Sequence, residues 1–303
     1  MLNFLGVVMR HRGDLRGAIQ RHQETLAAYR EVGDKSAVAA ASMSLAYDLQ
    51  EYGAVTEALR LQTDAVRIAR ETGEKALTVL ALSDLAELTA VKGDLRGAAA
   101  FCQDALALSR EIQSKARERR AARACAAVAI ERGELEEAER LAKSTLVSPR
   151  ETRPRGESAT LQSMALHVLA QVYLAGGRLT EARRASDEAW ACAGFNATPN
   201  TTTDTKTVQW LYDTTAARTR MADAPAEAAA TLRAVADAAA KNGYLRTAYE
   251  ARFYLAEAER RANRPQAASA ALERLQRDAA ARGYGLVARK AAAAVAIQRA
   301  ARN

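Results

Sequence analysis

The sequence predicts an all-α protein: a right-handed α-solenoid of about seven antiparallel helical hairpins plus a C-terminal capping helix. Three observations predict it. A Gly-x-Leu-x-x-Ala motif at Gly13–Ala18 returns eighty residues later at Gly93–Ala98, with a degenerate copy halfway, at Gly53–Ala58. The apolar fraction is 49% with only 5% aromatic residues, so alanine, the best helix former, supplies much of it. Finally, no long run alternates apolar and polar residues as strands do.

The alanine that opens the second helix of each pair defines the units. It recurs at Ala18, Ala58, Ala98, Ala138, Ala182, Ala228 and Ala268. We therefore predict a single repeat domain over residues 1–303, with units at about 1–34, 35–74, 75–114, 115–154, 157–196, 206–243 and 244–283. A pair of helices is too thin to bury its own apolar face, so we expect each unit to pack against its neighbours alone. The apolar segment 286–301 is predicted to be the helix that caps the stack.

Start and stop signals support these units. The first helix of the second unit carries Leu45 and Leu49 four residues apart, the spacing of one buried helical stripe. Where second helices should end, four units carry the glycine typical of a helix C-terminus, and the third carries Gln113. Segments 148–156 and 196–207 are predicted to be loops because they are rich in proline, glycine, threonine or asparagine. Met1 falls inside a predicted helix, so we expect further chain upstream.

A pair of residues inside the first helices carries a family resemblance. It stands as Leu5-Gly6, Leu45-Ala46, Leu85-Ala86, Leu169-Ala170 and Leu255-Ala256. Together with the Gly-x-Leu-x-x-Ala turn, it resembles the tetratricopeptide repeat (TPR). The forty-residue spacing is similar to the extended bacterial variety found in the sensor regions of MalT-like transcription activators. The resemblance implies a superhelix whose inner face is lined by the first helices, and it does not single out one function.

On this resemblance, the outward-pointing positions of the first helices form the candidate partner-binding face. They are Tyr47, Gln50, Glu87, Arg120, Arg123, His167, Gln171, Trp210, Asp213, Arg220, Phe253, Glu257 and Arg260. Aromatic residues and arginines among mixed polar groups suit an extended peptide or a partner helix. Packing between repeats is an equal alternative for Trp210 and Phe253. For Arg120 and Arg123 the alternatives are a clamp on a carboxylate or phosphate and a solvated face paired with Glu118.

Catalysis finds no support in the sequence, so we predict a protein that is not an enzyme. The three histidines share no metal-ligand spacing, and no phosphate loop or nucleophile elbow is present. The three cysteines lie far apart, which favours small buried residues in a reducing cytoplasm over a disulfide or a zinc site. We expect no cofactor and no membrane span, because no apolar run reaches the roughly 18 residues that a span needs.

Three functions remain open. The first is a protein- or peptide-binding regulatory scaffold, to which an upstream effector domain could be joined. The second is a sensor domain for a small ligand or a signalling peptide. The third is a basic scaffold for nucleic acid, because the net charge is +8 and the pI is about 9.6. The basic residues are spread along the chain, and no interleaved aromatic residues or known DNA-reading motif accompany them, so the sequence does not favour the third.

Overall fold

The chain is described by a computed structural model over residues 2–147, 157–194 and 206–300. These residues form fifteen helices and no strand. The helices are α1 (Leu2–His11), α2 (Leu15–Val32), α3 (Lys35–Tyr52), α4 (Val55–Glu71), α5 (Lys75–Lys92), α6 (Leu95–Glu111), α7 (Lys115–Arg132), α8 (Leu135–Ser144), α9 (Glu157–Ala175), α10 (Leu179–Ala193), α11 (Lys206–Arg220), α12 (Pro225–Lys241), α13 (Leu245–Arg261), α14 (Pro265–Ala281) and α15 (Gly285–Ala300).

Local signals explain where the helices begin and end. The carboxylates of Asp14 and Asp94 accept hydrogen bonds from the amides of the third residue along, which caps α2 and α6. At the end of α2, Gly33 has a φ of 77°, in the left-handed region that glycine adopts most readily. Gln113 takes the corresponding place after α6 with a φ of 52°. The left-handed stop is therefore kept in the third unit even without glycine.

The odd-numbered helices form the inner wall of the array and the even-numbered helices the outer wall. The backbone of each even helix comes close only to the helices before and after it in the chain, whereas odd helices also lie close to one another, such as α5 with α7 and α7 with α9. The first helices of the predicted units therefore face the inside of the superhelix.

The superhelix closes on itself, and here the expectation that each unit packs against its neighbours alone is wrong. Helix α11 packs against α1, α13 against α3 and α15 against α5. The members of each pair are ten places apart in the order of helices, which is five hairpins, so about five units complete one turn. The reason is the tight curvature of short hairpins packed through alanine, which brings the second turn directly onto the first.

Tyrosine hydroxyls join the two turns at regular places. Tyr244, just before α13, donates a hydrogen bond to the backbone oxygen of Arg10 at 2.6 Å. Forty residues later, Tyr284 donates to the backbone oxygen of Gln50. A buried core joins the same regions, since Leu45 and Leu49 of α3 belong to one apolar cluster with Leu272, Tyr284 and Val295. The first and second turns of the superhelix therefore share one core.

The capping helix predicted over 286–301 is observed as α15, Gly285–Ala300. It covers α14, as expected, and it also packs against α5 of the first turn. The predicted loop at 148–156, most of the predicted loop at 196–207, and Met1 lie outside the described residues; Lys206 already belongs to α11. Among the residues described, no helix combines the length and apolar character that crossing a bilayer requires.

Candidate functional site

The inner faces of the odd helices enclose a narrow space, which we call the lumen. Side chains from distant parts of the chain meet there. Lys290 of α15 lies 2.6 Å from Glu131 of α7. The charges of both Lys290 and Glu131 act on Tyr254 of α13, so groups from three inner helices are neighbours in space.

Lumen side chains occupy one stripe along each inner helix. On α3 the stripe passes through Ala40, Ser44, Tyr47 and Glu51, which follow each other at three or four residues and so lie on one helical face. At matching positions of other inner helices the stripe contains Asp84, Glu87, Arg120, Glu131, Glu250, Tyr254 and Lys290. The lumen wall therefore carries several charged and aromatic groups.

Tyr47 shows the character of this space. The side chain is accessible, with 42% of the residue's surface exposed, and the Arg10 guanidinium lies 4.5 Å above its ring. Desolvation by the surrounding protein nevertheless raises the pKa of Tyr47 above its ordinary value. Tyr47 is therefore accessible to water and at the same time surrounded by protein, as expected for a side chain inside a narrow channel.

Most of the lumen's cations have carboxylate partners. Arg120 of α7 contacts Asp84 and Glu87 of α5, the latter at 3.3 Å. Although burial alone would lower it, these two carboxylates raise the pKa of Arg120 above its ordinary value. Arg246 of α13 lies 3.2 Å from Glu51 of α3. Together with the pair between Lys290 and Glu131, these contacts neutralise much of the wall.

Two lumen arginines have no carboxylate within ion-pair distance in the part of the chain that the structure describes. Arg123 of α7 points its Nη1 at the sulfur of Met164, 3.6 Å away. Burial and the nearby charge of Arg120 lower the pKa of Arg123 to about 10. Arg218 of α11 stacks on Tyr254, with 3.9 Å between guanidinium carbon and ring centroid.

His167 of α9 lies between these two arginines. It is 5% exposed and stacks on Tyr212 with 4.5 Å between ring centroids. Burial, followed by the charges of Arg218 and Arg123, lowers the pKa of His167 to about 3. The imidazole is therefore neutral at physiological pH, and its Nε2 lies 2.7 Å from the amide nitrogen of Gln171.

The structure brings six of the sequence-predicted site residues together in the lumen region. They are Tyr47, Glu87, Arg120, Arg123, His167 and Gln171. Gln50 also borders this region, beside Tyr47 and Glu87, but it is only 5% exposed. Trp210 lies where the two turns of the superhelix meet, where it is 9% exposed and packs edge-to-face with Tyr244. The two alternatives for Trp210 were partner binding and packing between repeats, and the structure shows a packed side chain.

The remaining predicted residues are scattered. Phe253 packs against the shared core of the two turns, with its ring edge at Tyr254. Arg220 is exposed and faces Asp187 of α10 at 3.7 Å, and Arg260 is also exposed. Glu257 follows Glu250 and Tyr254 on the stripe of α13, at the position that matches Tyr47, and pairs with Arg261 at 3.2 Å. Asp213 is partly buried, and desolvation raises its pKa to about 6. Binding by any of the thirteen residues stays a prediction.

Sequence reasoning missed Asp84, Arg218, Arg246, Glu250, Tyr254 and Lys290. It placed the inner face on the positions matching Met43, Tyr47 and Gln50 of α3, whereas the observed stripe is rotated toward Ser44 and Glu51. A signal was present, because charged residues recur at the position that matches Ala40 in three inner helices, as Arg120, Glu250 and Lys290.

No metal centre is apparent: within the described ranges, no three histidine, cysteine or acidic side chains are grouped so as to hold an ion. Cys102 and Cys125 are free thiols inside the core, and Cys192 is partly exposed. The chemistry that the lumen offers is therefore ion pairing, hydrogen bonding and stacking on aromatic rings.

Comparison with known proteins identifies the fold. No family model matches the sequence, and no curated protein matches it. Among solved structures, the chain is similar to a Rap protein complexed with Competence and Sporulation Factor, with a TM-score of 0.68 and 14% identity. That match covers 93% of this chain and 75% of the Rap chain. It shows a shared fold over nearly the whole length.

Two further matches are to BtubC (BKLC) from P. vanneervenii and to kinesin light chain TPR-like repeats from Podosopora anserina. BtubC gives a TM-score of 0.51 at 19% identity, with 66% of this chain and 82% of that chain covered. The kinesin light chain repeats give 0.47 at 18% identity, with 65% and 95% covered. The predicted TPR-like solenoid is confirmed, and the resemblance to MalT-like regulators is not.

Proposed function

Starting from the TPR-like solenoid fold of this chain, we propose that it is a non-enzymatic binding module whose lumen receives an extended peptide or a segment of a partner protein. The Rap protein that shares its fold was solved complexed with Competence and Sporulation Factor. That likeness supports a binding role for the array, and a shared fold alone does not name the partner.

The observation that carries the proposal is the character of the lumen wall. Tyr47 is 42% exposed in a space that protein surrounds, and Arg123 and Arg218 have no carboxylate partner among the described residues. Aromatic rings and arginines supply much of the binding energy at protein interfaces. Successive inner helices present such groups one after another, which suits a ligand in extended conformation.

A depression beside Met43, Tyr47, Gln50, Asp84 and Glu87 has a cavity volume of about 10 Å³. Such a space holds about one water molecule. This depression alone therefore offers no site for a metabolite.

The nucleic-acid hypothesis gains no support from the densest basic stretch of the chain, which contains Lys115, Arg117, Arg119, Arg120 and Arg123. Arg120 is paired with Asp84 and Glu87 inside the lumen. Lys115 lies 3.6 Å from Glu118. These two cations are therefore engaged within the protein rather than free to contact phosphates.

Blocking the lumen tests the proposal. Ala127 occupies on α7 the position of Tyr47 on α3 and is partly exposed, so Ala127→Trp would fill the lumen. The matched control is Arg277→Trp, which adds the same ring to the exposed face of the outer helix α14. We would pass a displayed library of random decapeptides over the wild type and both variants, and sequence the captured pool.

We expect the wild type and the Arg277→Trp control to enrich the same peptides, and the Ala127→Trp variant to lose them. Thermal melts would confirm that all three proteins are folded. Equal enrichment by the blocked variant would show that peptides bind outside the lumen, and no enrichment by the wild type above an uncoated surface would remove the proposal.

A further inference from the structure

The basic side chains of the lumen wall differ in whether they have a carboxylate partner. Arg120 and Arg246 each lie within ion-pair distance of a glutamate, at 3.3 and 3.2 Å, and Lys290 does so at 2.6 Å. Arg123 and Arg218, by contrast, have only a thioether and an aromatic ring as close partners among the described residues. Both lie on the part of the wall built by α7, α9 and α11.

The groups around these two arginines do not compensate their charge. His167, which stands between them, has a pKa of about 3, lowered by burial and by the two guanidinium groups, and is therefore neutral. Asp84 and Glu87 do act on Arg123, but both are already in contact with Arg120. The hydroxyl of Tyr212, beneath His167, is bonded to Ser163 at 2.8 Å.

An arginine that is largely removed from water without an anionic partner is costly to the folded state. Arg123 is in this situation, as its lowered pKa of about 10 reflects. A guanidinium group pairs with a carboxylate through two parallel hydrogen bonds, and such charge-assisted bonds are among the strongest in proteins. A ligand carboxylate placed here would replace the missing partner.

We propose that Arg123 and Arg218 form an anion subsite beside His167, which receives a carboxylate of the bound peptide, so that the lumen selects acidic peptides. The subsite rests on the proposed function, because it assigns a chemical class to the ligand of the same lumen.

The same random decapeptide selection tests the subsite when it is run with charge-matched variants. The test protein carries Arg123→Gln and Arg218→Gln together. The control carries Arg274→Gln and Arg277→Gln, which remove the same charge from the exposed face of α14. We expect the wild type and the control to enrich aspartate or glutamate at one peptide position about fivefold over the input, and the test protein to lose that enrichment.

Affinity measurements on the best captured peptide complete the test. Replacing its enriched acidic residue by the matching amide should weaken binding to the wild type about tenfold, and binding to the Arg123 and Arg218 double variant less than about twofold. Such coupling is specific to a direct contact and would not follow from a general loss of structure.

The outcomes separate the two proposals. If the wild type captures peptides without a preference for acidic residues, the subsite is overturned and the peptide-binding function stands. If the acidic preference persists in the double variant, other residues bind the peptide carboxylate, and the subsite is again overturned. If the wild type captures no more peptide than the variant with the blocked lumen, the function itself fails, and the subsite with it.

Discussion

Two regions of the superhelix differ in how many layers they have. In the overlap, which we define as α1, α3 and α5 with α11, α13 and α15, each inner helix packs against one of the other turn. In the single layer, α7 to α10, the helix backbones come close only to near neighbours in the chain, although the side chain of Glu131 on α7 still reaches Lys290 of α15. The inner helices of the overlap are therefore covered both by hairpins of their own turn and by the other turn, whereas those of the single layer are covered by hairpins of their own turn alone.

Some lumen charges find their partners across the overlap. Arg246 of the second turn pairs with Glu51 of the first, and Tyr284 donates a hydrogen bond to the backbone oxygen of Gln50. Arg123 of α7, in the single layer, and Arg218 of α11, which borders it, have no carboxylate partner among the described residues. These two arginines therefore stay available for a ligand.

The largest effect expected is from Trp210→Ala in the overlap. Trp210 is packed with Leu15, Val235 and Tyr244 where the turns meet, so its removal should lower the free energy of unfolding by about 3–5 kcal/mol. Urea unfolding measures this loss. Trp190 of α10 is the comparison: it is only partly buried, and Trp190→Ala should cost clearly less. Equal losses would mean that the overlap does not add to the stability of the array.

The helical pairs could be predicted from the sequence because they depend on local signals. The period, the caps at Asp14 and Asp94 and the left-handed stop at Gly33 each act within a few residues. The closure could not be predicted, because small rotations between hairpins add up over five units before the turns meet. The lumen residues could not be predicted exactly for the same reason. A shift of one residue along the inner stripe replaces Asp84 by Ser83, which is fully buried.

A second prediction tests the contact between the two turns by adding a single carbon atom. A Cβ at Gly285, the first residue of α15, would lie 2.1 Å from the backbone oxygen of Lys92 at the end of α5. Gly285→Ala should therefore push α15 away from α5 and lower the free energy of unfolding by about 2–3 kcal/mol. In the single layer, a Cβ at Gly176 meets no atom closer than 3.6 Å.

Gly176→Ala is accordingly the matched control for this substitution. It should change the free energy of unfolding in urea by less than about 0.5 kcal/mol. If both alanine variants unfold at the same denaturant concentration, α15 does not depend on its contact with α5, and the closure of the superhelix would have to be weak.

The smallest effect expected is on the pH dependence of stability, through His167 in the single layer and Asp213 beside it. His167 has a pKa of about 3 in the folded protein and about 6.5 when unfolded. Between these values the unfolded chain binds the extra proton, so His167 makes the protein less stable as the pH falls below about 6.5. From pH 7 to pH 5 its share of the loss is about 2 kcal/mol. His167→Gln should remove that share.

Asp213 of α11 acts with the opposite sign and supplies the control. Desolvation raises its folded pKa to about 6, above the unfolded value of about 3.9. The folded chain then binds the extra proton, so Asp213 adds stability as the pH falls below about 6. Relative to the wild type, acidification should therefore cost His167→Gln less and Asp213→Asn more, by urea unfolding at both pH values. Parallel shifts in both variants would contradict the burial of neutral His167 between two arginines, on which the anion subsite depends.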